Sequence, residues 1–238
     1  MADRTVILHY HLFKNAGTSV DRILKDNFPG RWETAEFPGR GRNNTELVTQ
    51  WIQSKPDAVA FSSHTMLGPI PRIDGVRVIS MLLLRDPVQR IRSAYQFERR
   101  QVADNFGAVL AKETGFDGYV RVRLSLPHDR QCRNFQTSRL AALVPGPEPE
   151  IDRAIKALQQ ISVLGFVEAF DAAMEALRRQ LAPVYPGFRA RRVRANVSDS
   201  AGAPELSGRP GIDKRLRHAN GDDLRLLEAA RNLDPPMQ

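Results

Sequence analysis

The chain has 238 residues, a formal net charge of +8 and one cysteine. A length of this order suits a single α/β domain that buries roughly 70–75% of its unfolded surface, and the lone Cys132 excludes an internal disulfide. An apolar fraction of 42% and a charged fraction of 26% are ordinary for a soluble globular protein.

No apolar run approaches the ~20 residues of a membrane span, and the opening Met1-Ala2-Asp3-Arg4 does not read as a secretion signal. A cytoplasmic protein without a transmembrane segment is therefore expected. Most of the basic residues are arginine, whose planar fork takes two oxygens of a phosphate or sulfate. The excess of positive charge fits a solvated surface or an anionic ligand or polymer.

Thr5 to Leu12 is a β-rich run and predicts a buried strand. Gly17 breaks it, and Val20, Ile23 and Leu24 follow at helical spacing behind Thr18 and Ser19 as possible caps. Residues 28–44, rich in Gly, Pro and Arg, read as an exposed loop. A short helix is expected over 45–54 and a short strand over 58–62, ending near His64. Val76 to Leu84 is the most apolar strand. It stops at Arg85-Asp86-Pro87, where Asp86 suits an N-cap, Pro87 the first helical residue and Gln89 a capping-box position. Val88, Ile91 and Tyr95 share a face of the helix that follows.

Residues 101–142 read as helical but irregular. A helix over 151–160, a strand over 163–166 and a helix over 169–181 come next, then a long basic loop over 189–211, a closing helix over 222–231 and a short tail. Strands alternating with helices imply a parallel sheet covered on both faces.

Two strand–loop–helix segments carry candidate chemistry. A helix N-terminus behind a buried strand is an anion site by default, because its orphan N–H groups and dipole point at the ligand. In the first segment Lys14 adds a charge, Gly17 permits close approach, and Thr18 and Ser19 add hydroxyl donors. Lys14 lies three residues before Gly17, whereas a Walker A loop places its Lys directly after the last Gly. In the second, Arg85 sits at a strand's end and Ser93 two turns into the helix, so both can serve an anion at the carboxyl edge of a sheet.

The second segment, Arg85-Asp86-Pro87-Val88-Gln89-Arg90-Ile91-Arg92-Ser93-Ala94-Tyr95, resembles the Arg-Asp-Pro-x-x-Arg-x-x-Ser-x-Tyr motif of sulfotransferases that use 3′-phosphoadenosine-5′-phosphosulfate (PAPS). The likeness is greatest to the carbohydrate branch with the heparan sulfate 2-O- and 6-O-sulfotransferases and many bacterial members. That family's first loop, Pro-Lys-Thr-Gly/Ala-Gly/Ser-Thr-Ser/Thr, is similar to Phe13-Lys14-Asn15-Ala16-Gly17-Thr18-Ser19, with Phe13 in place of Pro and Asn15 in place of Thr. Weaker likenesses lie at Cys132 to Thr137, Gly165 to Phe170 and Asn196-Val197-Ser198, so the resemblance spans roughly residues 5–200.

The resemblance implies one sulfotransferase domain over 1–238, with a P-loop-like three-layer fold and a central parallel sheet flanked by helices. It implies PAPS as co-substrate and no metal. Lys14 and His64 become the expected catalytic residues, with His64 as base. Asn15, Ala16, Gly17, Thr18 and Ser19 are expected at the 5′-phosphosulfate, Arg85 and Ser93 at the 3′-phosphate, and Asn196 and Ser198 at a late cofactor loop. The acceptor it implies is a hydroxyl of an anionic or neutral glycan, with a lipid or small alcohol as the other option. No nucleic acid is expected, and the oligomeric state is left open.

The residues by themselves also admit a nucleotide kinase or NTPase on a related sheet, or a non-catalytic basic module binding an anionic glycan or nucleic acid. Aromatic residues make up only 7% of the chain and do not interleave with the basic runs, which disfavours nucleic acid.

Overall fold

A computed structural model describes residues 4–38, 43–190 and 210–233. Several sequence expectations fall outside these residues: Asn196 and Ser198, most of the long loop over 189–211, and the tail after Asp234.

In chain order the elements are β1 (Arg4–Tyr10), α1 (Gly17–Asn27), β2 (Trp32–Thr34), α2 (Thr45–Gln53), β3 (Ala60–Ser63), β4 (Val76–Leu84), α3 (Pro87–Arg100), α4 (Phe106–Glu113), α5 (Phe116–Ser125), α6 (Phe135–Ala141), α7 (Glu150–Leu158), β5 (Val163–Phe166), α8 (Phe170–Leu181), α9 (Pro210–Ala219) and α10 (Gly221–Arg231). The chain divides into two compact units, one within residues 1–84 and 139–195, the other within 85–138 and 196–238.

The first unit holds a five-stranded sheet in the order β2-β3-β1-β4-β5, and every pairing is parallel. The α/β class and the parallel sheet flanked by helices are thus as expected. β1 is buried after its first residue and β4 from Ile79 onward, as expected of central strands in a parallel sheet. Ile7, Ile79, Met81 and Leu83 on one face join Val20, Ile23 and Leu24 of α1 and Phe170, Met174 and Leu177 of α8 in one apolar cluster. The neighbouring residue on β3, Phe61, points to the opposite face, where the Trp51 ring of α2 packs edge-on with centroids 4.9 Å apart.

In the second unit Val88, Ile91 and Tyr95 of α3 pack with Tyr119 and Val120 of α5 and with Ile212 and Leu216 of α9. A polar network is buried in the same unit. The Arg123 guanidinium donates to Glu98 at 2.9 Å and to Asp129 at 2.7 Å, and the Tyr119 hydroxyl donates to Glu98 at 2.7 Å. Removing one charge from such a network strands the other in a dry interior, a loss of about 3–5 kcal/mol.

Three stretches differ from the sequence reading. Residues 28–44 contain β2, a three-residue edge strand too short for an alternation to register. The irregular stretch over 101–142 resolves into α4, α5 and α6. α9 begins at Pro210, inside the loop expected over 189–211, and Pro is favoured in a helix's first turn. Among the described residues no helix is long and apolar enough to cross a membrane.

Candidate functional site

Ligands of parallel sheets gather at carboxyl ends of neighbouring strands whose following connections run in opposite directions. In the first unit those strands are β1, from which the chain runs to β2, and β4, from which it runs to β5. The loop after β1, carrying Lys14, lies at that edge. Its backbone is unusual: Lys14 has φ 65° and Ala16 φ 59°, both in the left-handed region that side-chain-bearing residues avoid. Two such residues within three positions store a strain that the surroundings must hold, a feature common at functional sites.

Two contacts hold it. Asn15 is buried, and its Nδ2 donates to the Leu83 carbonyl of β4 at 2.7 Å. Gly17 is buried against the His11 ring, and a Cβ there would lie 2.0 Å from His11 Cδ2. The missing side chain at Gly17 thus makes room for an imidazole. Ala16 caps α1 in its left-handed conformation without a side-chain hydrogen bond, so Thr18 and Ser19 do not act as the expected caps. Thr18 is exposed, while Lys14 and Ser19 are half-buried.

His64 follows the last residue of β3, and β3 lies beside β1 with Tyr10 paired to Ser63. The His64 ring sits on the His11 ring, centroids 3.8 Å apart, so this histidine and the Lys14 loop occupy one edge of the sheet. His64 Nδ1 is 2.7 Å from Glu36 Oε1. The Glu36 carboxylate also accepts from the Thr65 hydroxyl at 2.8 Å and the His64 N–H at 3.3 Å. Burial alone would raise the Glu36 carboxyl, but these hydrogen bonds hold it below the usual carboxylate range. An ionised carboxylate can only accept, so the hydrogen of a neutral His64 lies on Nδ1 and the lone pair on Nε2. The Arg139 guanidinium donates to the carbonyls of His64 and Met66, the latter at 3.2 Å, fixing the His64 backbone.

Further along β1, Asp21 of α1 takes His9 Nδ1 and His11 Nδ1 on its two oxygens, each at 2.8 Å. Burial opposes its charge, yet the two imidazole hydrogen bonds hold the carboxyl far below its ordinary range.

In the second unit the capping expectation at α3 holds: Asp86 accepts from the Gln89 N–H at 2.9 Å, with Pro87 in the first turn. Gln136 clasps the Arg85 peptide from both sides, accepting from its N–H at 2.9 Å and donating to its carbonyl at 2.8 Å. Gln136 is itself fixed by Asp223, which accepts from the N–H groups of Gln136 and Thr137 at 3.2 and 2.7 Å. Arg90 is fully buried over the Phe135 ring, 4.4 Å from its centroid, and donates to Gln131. Tyr95 is buried and donates to the Thr114 carbonyl at 3.1 Å. Within this motif, then, Arg90 and Tyr95 build the frame, whereas Arg85 and Ser93 are half-buried.

The structure brings together Lys14, Asn15, Ala16, Gly17 and His64 at one sheet edge, and places Arg85 and Ser93 in the other unit. Glu36 and Asp21 were missed. Glu36 lay in a stretch read as loop, and the spacing of His9, His11 and Asp21 crosses a strand–helix junction that no single periodicity describes. Cys132 is buried, and burial pushes its thiol up to about 12, which makes it inert as a nucleophile.

Fold and site define an α/β protein with an all-parallel sheet, carrying a strained cationic loop and a carboxylate-oriented histidine at the sheet's carboxyl edge. No known family profile matches the chain. It is 36% identical over 243 aligned positions to a protein of Archaeoglobus fulgidus described as uncharacterized, an alignment covering 95% of this chain and 96% of that protein. The chain belongs to the same family as this archaeal protein.

Proposed function

We propose that the protein is a PAPS-dependent sulfotransferase of P-loop-like fold that transfers a sulfuryl group to a hydroxyl, with a glycan as the acceptor class. The observation that carries the reading is the shared sheet edge of the Lys14 loop and the Glu36-oriented His64, joined through the ring contact of His64 with His11. A cation on the same sheet edge as a histidine whose tautomer is set by a carboxylate is equipment for activating a hydroxyl against an anionic donor.

In the proposed step the acceptor oxygen attacks sulfur in line. A new O–S bond forms as the bond from sulfur to the bridging oxygen breaks, and 3′,5′-adenosine bisphosphate leaves. His64 Nε2 takes the acceptor's proton. Lys14 stabilises charge on the sulfuryl oxygens and on the departing bridging oxygen. The N-terminus of α1, with Thr18 and Ser19, serves the 5′-phosphate, while Asn15 and Gly17 keep the loop in shape. Arg85 and Ser93 are assigned to the 3′-phosphate by motif resemblance, with Gln136 setting the Arg85 backbone. The donor arrives activated, so the step as written uses no metal.

Incubation with sulfur-labelled PAPS and fractionated glycans, lipids and small alcohols tests the reading. Label entering the glycan fraction is expected, and transfer to none of the fractions would count against it.

A further inference from the structure

The polar side chains buried between β1 and α1 exceed what sulfuryl transfer uses. His9 lies on β1 and His11 just past its last residue, and both imidazoles are turned to the α1 side. They are 1% and 7% exposed, and Asp21 meets both from α1. One ring nitrogen of each histidine and a carboxylate oxygen of Asp21 all lie within 4.8 Å of one another. We propose that His9, His11 and Asp21 form a binding site for one divalent transition-metal ion.

The donor set selects the class of ion. Two imidazole nitrogens and one carboxylate suit Zn²⁺, Co²⁺ or Ni²⁺, whereas Mg²⁺ and Ca²⁺ take oxygen shells. A tetrahedral shell with bonds of ~2.0–2.2 Å sets neighbouring donors roughly 3.3–3.5 Å apart. The Nδ1–oxygen contacts, now at 2.8 Å on the two oxygens of Asp21, would open by about half an ångström around an ion.

Three protein donors leave a fourth position for water. Ser62 Oγ, 3.2 Å from His9 Nδ1 and held by the Trp32 Nε1–H at 3.2 Å, borders it. On binding, each neutral imidazole carries its proton on Nε2 rather than Nδ1, so none is released from the histidines. Asp21, whose side chain is 19% exposed, is the most open of the three and gives the ion its route of access. A bound ion would tie β1 to α1 directly beneath the Lys14 loop. The proposed transfer reaction assigns no chemical step to these three residues, although the His11 ring packs on His64 with centroids 3.8 Å apart.

Titration of metal-stripped protein with Co²⁺ tests it. One equivalent is expected to bind with the visible d–d absorption of four- or five-coordinate cobalt, and Zn²⁺ is expected to displace it and raise the Tm. His11→Gln and Asp21→Asn should each weaken binding at least about tenfold, while His64→Gln should leave it intact. Absence of stoichiometric binding by the folded wild-type protein, or unchanged affinity in both site variants, would overturn the proposal. Should a variant not fold, paramagnetic shifts in the cobalt-loaded wild type decide: shifted ring signals of His9 and His11 support the site, and shifts confined to other histidines refute it.

Discussion

Replacing Lys14 by alanine is expected to lower the rate of sulfuryl transfer by about 10²–10³, or roughly 3–4 kcal/mol of transition-state stabilisation. The charge on the bridging oxygen develops only as the S–O bond breaks, so the loss should fall on kcat rather than KM. Lys14 holds φ 65°, so loss of the charge must be separated from relaxation of the loop. Lys14→Gly removes the ammonium but accepts this backbone geometry without strain. Both variants should be equally impaired in a labelled-transfer assay at saturating donor. Full activity in Lys14→Gly would mean that the position supplies shape and not charge.

Removal of the base is expected to have an effect of similar size. His64→Ala should cost about 10²–10⁴ in rate. Glu36 touches His64 and is assigned no contact with donor or acceptor, so Glu36→Gln should cost less, and His64→Ala combined with Glu36→Gln should be no slower than His64→Ala alone. Groups that act as one unit are not additive. Single-turnover rates for the two single variants and the double variant check this. Additive losses would show that Glu36 acts independently of His64.

The parallel sheet was legible because its central strands are continuous apolar runs, and Val76 to Leu84 ends where the apolar run ends. The start of α3 was legible because Asp86 and Pro87 carry their capping chemistry locally. What escaped depends on distance in sequence. Gln136 meets Arg85 across 51 residues and Glu36 meets His64 across 28, and no local pattern encodes either pair. Gly17 was legible as a small residue, but its reason was not: the space is taken by His11, whose ring is oriented by Asp21. Asn15 read as part of the ligand loop, and the bond that ties its amide to the Leu83 carbonyl spans 68 residues, which no local pattern encodes.

Calorimetric titration with 3′,5′-adenosine bisphosphate, set beside ATP with Mg²⁺, tests the central claim most directly. The account predicts saturable 1:1 binding of the bisphosphate, at least about tenfold tighter than ATP with Mg²⁺ and weakened by loss of the charge-assisted contact in Arg85→Ala. Preference for ATP with Mg²⁺, or no binding of the bisphosphate by the folded protein, would contradict it.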